Sequence, residues 1–352
     1  MRTLVLPPIL ALCLLATTSC VSMGPKTIPT DQFNYNAAIA SSSNEQLLLN
    51  VVRLRYSEAP VFLKVSSVIN QYARTASVGA SAGANTALTG ENTAGVSGSA
   101  AWWDRPTITY APLSGKEFAT NLLTPLPAES LFQLLQTGWP PDLVFRIAVI
   151  SINGIENEVA RPGRRRDADP RFLELLELWN RLRAQQALGM RIEKGEEKKV
   201  VLFFPEKALD EQTRSDRAKF RELLGLDPRA SEFRLVSGLI PAKPDEVAVL
   251  TGSIWDVMVS LAWRFDVPPE HVEQGRTGET FRAARPGPPL IQVKYDRERP
   301  AEASVAVFSR GYWFYIDDRD RDSKGAFSFL QLLLSLAETG TVGAGPLVTI
   351  SN

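Results

Sequence analysis

Residues 291–317, IQVKYDRERPAEASVAVFSRGYWFYID, show the fold class most directly. Three runs in this stretch are rich in β-branched and aromatic residues, and they predict three antiparallel strands: IQVKYD, ASVAVFS and YWFYID. The apolar run AFSFLQLLLSLAE at 326–338 then predicts a helix. Helices and strands mix along the chain without strict βαβ alternation, which indicates an α+β fold with a mostly antiparallel sheet.

The same mixture extends back through the second half of the chain. Further strands are predicted at VVLFF (200–204), EFRLVSGL (232–239) and EVAVL (246–250), and further helices at 171–188, 206–225 and 253–265. Ser253 and Asp256 have the spacing of a capping box at the start of the last of these helices. We therefore expect residues 171–352 to form one α+β domain.

The first half of the chain predicts a different organisation. RPGRRRDADP (161–170) is charged, contains two prolines and is the predicted linker to the α+β domain. Residues 41–160 are expected to hold a helix, a long β-hairpin and a segment of several short helices. The helix would start at a Ser41–Asn44 cap and bury Leu47, Leu48, Val51 and Val52, with Arg53 and Arg55 off the apolar face. Residues 20–40 are polar and are predicted to form a tether.

Residues 1–20, MRTLVLPPILALCLLATTSC, resemble the signal peptide and lipobox of a bacterial lipoprotein. Arg2 gives a positive start, and the apolar stretch 4–16 is shorter than the ~20 residues of a membrane-spanning helix. Small residues at 17–19 precede Cys20, which the resemblance implies is the lipidated N-terminus after removal of residues 1–19. The alternative is an ordinary signal peptide followed by an unrelated cysteine.

The cysteine content agrees with lipidation. The chain has two cysteines, and Cys13 lies inside the predicted signal peptide. The mature chain would keep Cys20 alone and could form no internal disulfide. In the lipoproteins that this sequence resembles, an Asp just after the cysteine retains the protein in the inner membrane. Val21 and Ser22 stand there instead, so we expect a lipid anchor in the outer membrane, facing the periplasm.

Three further segments resemble a group of bacterial lipoproteins with no assigned activity. They are NEQLLLNVVRLRY (44–56), RPTITYAPLSG (105–115) and IDDRDRDSKGAFSFLQLLLSL (316–336). The resemblance runs along most of the mature chain. It implies an envelope location and no particular reaction.

Charge and histidine content exclude several classes of function. Lys+Arg and Asp+Glu are 39 each, so no net field attracts nucleic acid. The one histidine, His271, excludes a histidine-rich metal site, and it is expected in a Pro/Gly-rich loop at 266–289. We predict no cofactor, no metal site and no catalytic residues.

Three motifs are better explained by structure than by chemistry. Gly79–Gly83 matches G-x-S-x-G but has no helix signal after it, which argues against a hydrolase nucleophile. Asp318, Asp320 and Asp322 begin like a calcium loop, but the later ligands are missing, so Asp322 or Ser323 is expected to cap a helix. An arginine cluster faces either solvent or anionic lipid phosphates; it contains Arg161, Arg164, Arg165 and Arg166.

Residues 75–103 carry the sharpest functional hypothesis. Two arms, 78–88 and 94–102, alternate apolar residues with Gly, Ser and Thr around a predicted turn at 89–92. Each arm, at 11 and 9 residues respectively, is long enough for a tilted transmembrane strand, which needs ~9–11 residues. One hairpin cannot span a membrane alone, so several protomers would have to share a barrel. The alternative is a periplasmic hairpin or a loop of small residues.

The favoured function is a non-enzymatic outer-membrane lipoprotein in envelope structure, assembly or export. Its expected partners are outer-membrane lipid through Cys20 and an envelope protein, with homo-oligomerisation possible and no nucleic acid. One alternative is the protomer of an oligomeric outer-membrane pore that contributes the 75–103 hairpin. A second alternative, an envelope hydrolase, lacks a convergent polar site in the sequence.

Overall fold

A computed structural model of the protein describes residues 24–69, 72–83, 93–104, 107–193, 199–206, 209–284 and 289–338. The structure mixes helices with several antiparallel sheets, which confirms the predicted α+β class. The helices are α1 (Gly24–Arg55), α2 (Gly115–Phe118), α3 (Ala128–Gln136), α4 (Pro141–Ala148), α5 (Pro170–Ala184), α6 (Glu211–Leu224), α7 (Ile254–Ala262), α8 (Pro269–Glu273) and α9 (Arg321–Glu338), with a π-helical turn at Ala119–Leu123. The strands are β1 (Leu63–Ile69), β2 (Tyr72–Gly83), β3 (Thr93–Asp104), β4 (Thr107–Pro112), β5 (Val149–Ile152), β6 (Ile155–Glu156), β7 (Val159–Arg161), β8 (Arg164–Arg166), β9 (Gly189–Glu193), β10 (Lys199–Phe203), β11 (Glu232–Ser237), β12 (Glu246–Thr251), β13 (Lys294–Asp296), β14 (Ala303–Ser309) and β15 (Tyr312–Asp317).

The described residues fall into two compact units. The first contains those up to Ser43 together with Val65–Ala111, and the second contains Asn44–Lys64 and those from Pro112 onward. The predicted linker at 161–170 lies inside the second unit, where it forms β7, β8 and the start of α5. Two of its arginines form ion pairs: Arg161 lies 3.0 Å from Asp256, and Arg166 pairs with Glu156. Ion pairing and strand formation thus replace the solvated linker that the composition suggested.

A six-stranded sheet forms the centre of the second unit, in the order β6-β5-β12-β11-β10-β9. Neighbouring strands are antiparallel except β11 and β12, which are parallel. Aromatic side chains from four helices pack together in its core: Phe132 lies 5.6 Å from Phe145, Phe145 5.1 Å from Trp179, and Trp179 6.0 Å from Phe220. The predicted capping box is present at the start of α7, where Ser253 and Asp256 bond each other's backbone.

A three-stranded antiparallel sheet, in the order β13-β15-β14, follows in the chain. β14 and β15 occupy the predicted ranges, while the first predicted strand, 291–296, is shortened to Lys294–Asp296. Arg310 and Gly311 join β14 to β15 with φ values of 53° and 87°, as a two-residue hairpin turn requires. Val305, Val307, Phe314 and Ile316 are buried, so one face of the sheet packs into the core.

β2 and β3 form a two-stranded antiparallel sheet in the first unit, which we name the β2–β3 ladder. It contains twelve residue pairs, from Tyr72 with Asp104 to Gly83 with Thr93. The predicted turn at 89–92 and the rest of 84–92 lie outside the described residues. β1 and β4 pair as a separate two-stranded sheet.

Helix α1 is longer than the sequence predicted. It runs continuously from Gly24 through the expected tether and past the expected cap at Ser41–Asn44. Ala37, Ala38 and Ala40 are strong helix formers, and extending an existing helix costs less than nucleating a new one. Most side chains from 32 to 45 are exposed. Leu47, Leu48, Val51 and Val52 are buried, as predicted.

Candidate functional site

In the β2–β3 ladder, even-numbered residues of one strand pair with even-numbered residues of the other, and odd-numbered residues with odd-numbered ones. Ala80 pairs with Val96 and Ala82 with Ala94, so even-numbered residues meet only even-numbered ones. Residues directly opposite each other in an antiparallel pair share a face. For the described residues 78–83 and 94–102 of the predicted arms, the register therefore places the even-numbered, mostly apolar positions on one face of the ladder and the odd-numbered, mostly Gly and Ser positions on the other.

The polar face has a described side-chain contact. Ser77 and Ser99 are paired, both are exposed, and their hydroxyl oxygens lie 2.6 Å apart. Among the described residues, neither β2 nor β3 has a strand on its outer side. The ladder thus combines two distinct faces with two backbone edges that can accept a further strand.

The G-x-S-x-G motif at Gly79–Gly83 lies inside β2. Ser81 pairs with Gly95 in an uninterrupted part of the ladder. A nucleophile elbow needs a sharp turn between a strand and a helix to expose its serine. The backbone at Ser81 is a continuous strand and does not supply that turn.

Cys20 and the rest of residues 1–23 lie outside the described residues, so lipidation stays a prediction. Within the part of the chain that the structure describes, no helix combines the length and the apolar character needed to cross a membrane.

The last residue of α1, Arg55, is the most deeply buried charge among the described residues of the second unit, at 1% exposure. Its guanidinium lies 4.5 Å from the ring centroid of Trp263, donates to the Gly278 carbonyl at 2.7 Å and also donates to the Thr277 hydroxyl. The prediction that Arg55 lies off the apolar face is therefore wrong. Arg55 lies four residues after Val51 and three after Val52, so it continues the face of the Leu/Val stripe, and its guanidinium contacts Trp263 and residues 277–278 there.

Burial is the main cause that lowers the pKa of Arg55 to about 10, and the nearby guanidiniums of Arg165 and Arg282 act in the same direction. Arg55 therefore remains protonated at neutral pH. The Thr277 hydroxyl also donates to the Arg55 carbonyl at 2.7 Å, which satisfies one of the free carbonyls at the helix C-terminus. Arg55 and Thr277 together fix the end of α1 against the loop after α8.

The next residue, Tyr56, contacts His271. The Tyr56 hydroxyl and His271 Nδ1 share a 2.8 Å hydrogen bond, and their rings meet edge to face at 5.6 Å. His271 lies in the short helix α8 and is 3% exposed, so its prediction as a loop residue is wrong. Tyr312 packs on His271 at 5.6 Å and donates its hydroxyl to Glu270.

Burial sets the protonation states of this pair. It raises the pKa of Tyr56 to about 12 and lowers the pKa of His271, so both side chains are neutral at pH 7. Around them, Arg310 lies over the Tyr56 ring at 4.5 Å and pairs with Glu58. These contacts hold the end of α1 in place and leave the imidazole almost inaccessible to solvent.

Two of the three aspartates at 318–322 have separate roles. Asp320 caps α9: its carboxylate accepts from the Ser323 backbone N–H at 3.0 Å and from the Ser323 hydroxyl at 2.6 Å. The expectation that Asp322 or Ser323 caps the helix is therefore wrong, because the cap is Asp320, two residues before Asp322. Asp318 pairs with Lys324 at 3.0 Å. Among the described residues, no cluster of three or more His, Cys, Asp or Glu side chains is suited to hold a metal ion.

The arginine cluster divides between internal contacts and solvent. Arg161 and Arg166 are in the ion pairs already described, and the Arg165 guanidinium lies 5.3 Å from the Trp263 ring centroid. Arg164 is exposed and has no ion-pair partner within the part of the chain that the structure describes. Arg165 is also exposed and lies 3.9 Å from the exposed Glu279.

Comparisons with known protein families, with curated proteins and with solved structures found no match to this chain.

Proposed function

We propose that the protein is a lipid-anchored, non-enzymatic outer-membrane protein that serves envelope structure, assembly or export. The apolar segment that ends in TTSC at Cys20 supports the anchor. The β2–β3 ladder is the element through which the protein contacts an envelope partner. The resemblance to lipoproteins without assigned activity supports the same location.

The β2–β3 ladder is the observation that carries the proposal. A two-stranded sheet is at best marginally stable in water and gains stability when a third strand or an apolar surface completes it. The ladder has twelve residue pairs, one face of apolar positions and two outer edges without a described strand. Such an element is suited to binding rather than to catalysis.

Replacing Cys20 tests the anchor. Cys20→Ala should move the protein from the outer-membrane fraction to the soluble periplasmic fraction and should remove the lipid mass from the mature chain. Cys13→Ala is the matched control, because the chain's other cysteine lies in the predicted signal peptide. That variant should remain acylated and membrane-bound. A wild-type protein without lipid mass, together with a Cys20→Ala variant that still sediments with the outer membrane, contradicts the anchor.

The register of the ladder favours a second candidate function, the pore protomer. Twelve residue pairs exceed the ~9–11 residues that a tilted membrane strand needs. Barrel walls alternate apolar and small or polar positions along every strand. In the ladder, each even-numbered residue of β2 pairs with an even-numbered residue of β3, so the same alternation runs along both strands. In this function, β2 of one protomer would pair with β3 of the next.

Two adjacent positions separate the candidates. Ala82 lies on the apolar face of the ladder and Ser81 on the other. In a pore, Ala82→Arg should abolish insertion, because arginine on the lipid face costs about 2–4 kcal/mol at the membrane midplane. Ser81→Arg should be mild. The measurement is the amount of heat-resistant oligomer in outer-membrane fractions. Equal tolerance at both positions, or a monomer in mild detergent, eliminates the pore and leaves the first proposal.

A further inference from the structure

Strand β14 lies at an edge of the three-stranded sheet and, among the described residues, pairs with β15 alone. Its sequence, ASVAVFS, contains neither charge nor proline. Edge strands of monomeric proteins are usually protected by charged residues, prolines, bulges or covering segments. β14 has one such device, a register shift between Ala303 and Val305 that leaves the rest of the strand regular.

The hairpin turn decides which backbone groups of β14 face outward. In a two-residue hairpin the flanking residues, here Ser309 and Tyr312, form a hydrogen-bonded pair. Hydrogen-bonded pairs then alternate along the ladder, so Val307 bonds to Phe314. Ala306 and Phe308 lie between these positions. Their N–H and C=O groups therefore face the open edge.

We propose that this edge binds a second copy of the same chain. The two β14 strands pair antiparallel, with Ala306 of each copy opposite Phe308 of the other. This register uses both regular outward-facing residues of each strand and neither the bulged Ser304 nor Arg310. Centring the pair on Ala306 would require Ser304, and centring it on Phe308 would require Arg310, whose φ is 53°.

Surface composition supports the self-complementary pairing. Phe308 is 57% exposed and packs on Trp313 at 5.5 Å, which leaves apolar surface beside the open edge. Glu302 and Arg310 flank the strand at opposite ends, so antiparallel pairing brings opposite charges together and parallel pairing brings like charges together. Glu302 already lies 3.1 Å from Arg319, and Arg310 already pairs with Glu58. Glu302 and Arg310 therefore favour the antiparallel orientation of the two β14 strands and add little to the affinity.

Charged substitutions test the pairing in the full acylated chain, purified in detergent and studied by sedimentation equilibrium. Ala306→Lys places a lysine opposite Phe308 of the second copy and should weaken self-association about tenfold. Phe308→Glu should weaken it similarly. An equimolar mixture of the two variants sets the introduced lysine of one copy against the introduced glutamate of the other and should recover association. Ser304→Lys is the matched control on the same strand and should change little.

A backbone variant tests the hydrogen bonds themselves. Ala306→Pro removes an outward N–H without removing a β14–β15 hydrogen bond, and it should also weaken association. Tryptophan fluorescence and thermal unfolding establish that each variant is folded. A wild-type monomer at all concentrations overturns the proposal. Equal effects of Ala306→Lys and Ser304→Lys, or no recovery in the mixture, overturn it as well. Association that is lost in Ala82→Arg but kept in Ala306→Lys assigns the oligomer to the β2–β3 ladder instead.

Discussion

The end of α1 and the β2–β3 ladder are held by different kinds of interaction. At the end of α1, Arg55 and Tyr56 are buried and bond to specific side chains and carbonyls. In the ladder, the main constraint is the backbone register of twelve residue pairs. A Cβ added at Gly98, in β3, would meet nothing within 4 Å.

This difference predicts different effects of substitutions in the two regions. Buried polar groups are costly to leave without partners, so substitutions at the end of α1 should act on the free energy of unfolding. Substitutions in open parts of the ladder should leave stability nearly unchanged and, under the proposed function, should act on binding instead. The two regions can therefore be tested with matched substitutions.

Arg55→Ala should give the largest loss of stability. It removes the guanidinium from Trp263 and leaves the Thr277 hydroxyl and the Gly278 carbonyl without their donor. Cavity formation and lost hydrogen bonds together should lower the free energy of unfolding by about 2–4 kcal/mol. Urea unfolding followed by tryptophan fluorescence measures this loss.

Arg53→Ala is the control for Arg55→Ala, two residues earlier on the same helix. The Arg53 side chain is 35% exposed and pairs with Glu58 at 3.7 Å. Its removal should cost less than about 1 kcal/mol. Equal losses for the two variants would mean that the buried contacts of Arg55 contribute no more than a surface ion pair.

A pair of glycine substitutions sharpens the same contrast. A Cβ at Gly278 would lie 2.8 Å from Arg165 Nη2 and 2.9 Å from a Trp263 ring carbon. The arginine can move, but the buried indole cannot, so Gly278→Ala should destabilise the protein by about 1–3 kcal/mol. Gly98→Ala should stay within about 0.5 kcal/mol of wild type.

Thermal unfolding of the two glycine variants measures the difference. A Gly98→Ala variant that is as unstable as Gly278→Ala contradicts the view that Gly98 lies in an open part of the ladder. A neutral Gly278→Ala contradicts tight packing at the end of α1.

Local sequence patterns predicted the elements that depend on neighbours in the chain. The β-branched Val305 and Val307 and the aromatic Phe308 predict a strand from local residue types alone. The capping box at Ser253 and Asp256 is likewise local, because both bonds lie within one helical turn. The register that unites the apolar positions of β2 and β3 needed the structure, because alternation within each strand does not determine how the strands are aligned.

The buried polar contacts could not be predicted from periodicity. Arg55 and its partner Thr277 are 222 residues apart in sequence, and Tyr56 and His271 are 215 apart. Helical periodicity places Arg55 on the face of Val51 and Val52, but it does not show that a distant loop supplies the partners of its guanidinium. An available signal was RLRY at 53–56, where an aromatic residue follows two arginines directly after an apolar stripe.

The pH dependence of stability gives the smallest and most specific test of the end of α1. The pKa of His271 is lowered from 6.5, first by burial and next by Arg276, while Glu270 opposes and Arg310 adds to the shift. The unfolded chain therefore binds a proton at a pH where the folded protein does not, so stability is full above about 6.5 and falls as the pH drops toward the lowered pKa.

Urea unfolding between pH 8 and about 5.5 should show this fall in the wild type and in Gly98→Ala. His271→Gln removes the chain's one histidine and should flatten the curve, because carboxylates titrate mostly at lower pH. The same fall in His271→Gln would assign the pH dependence to other groups. The His271 contacts at the end of α1 would then not be the cause of the pH dependence.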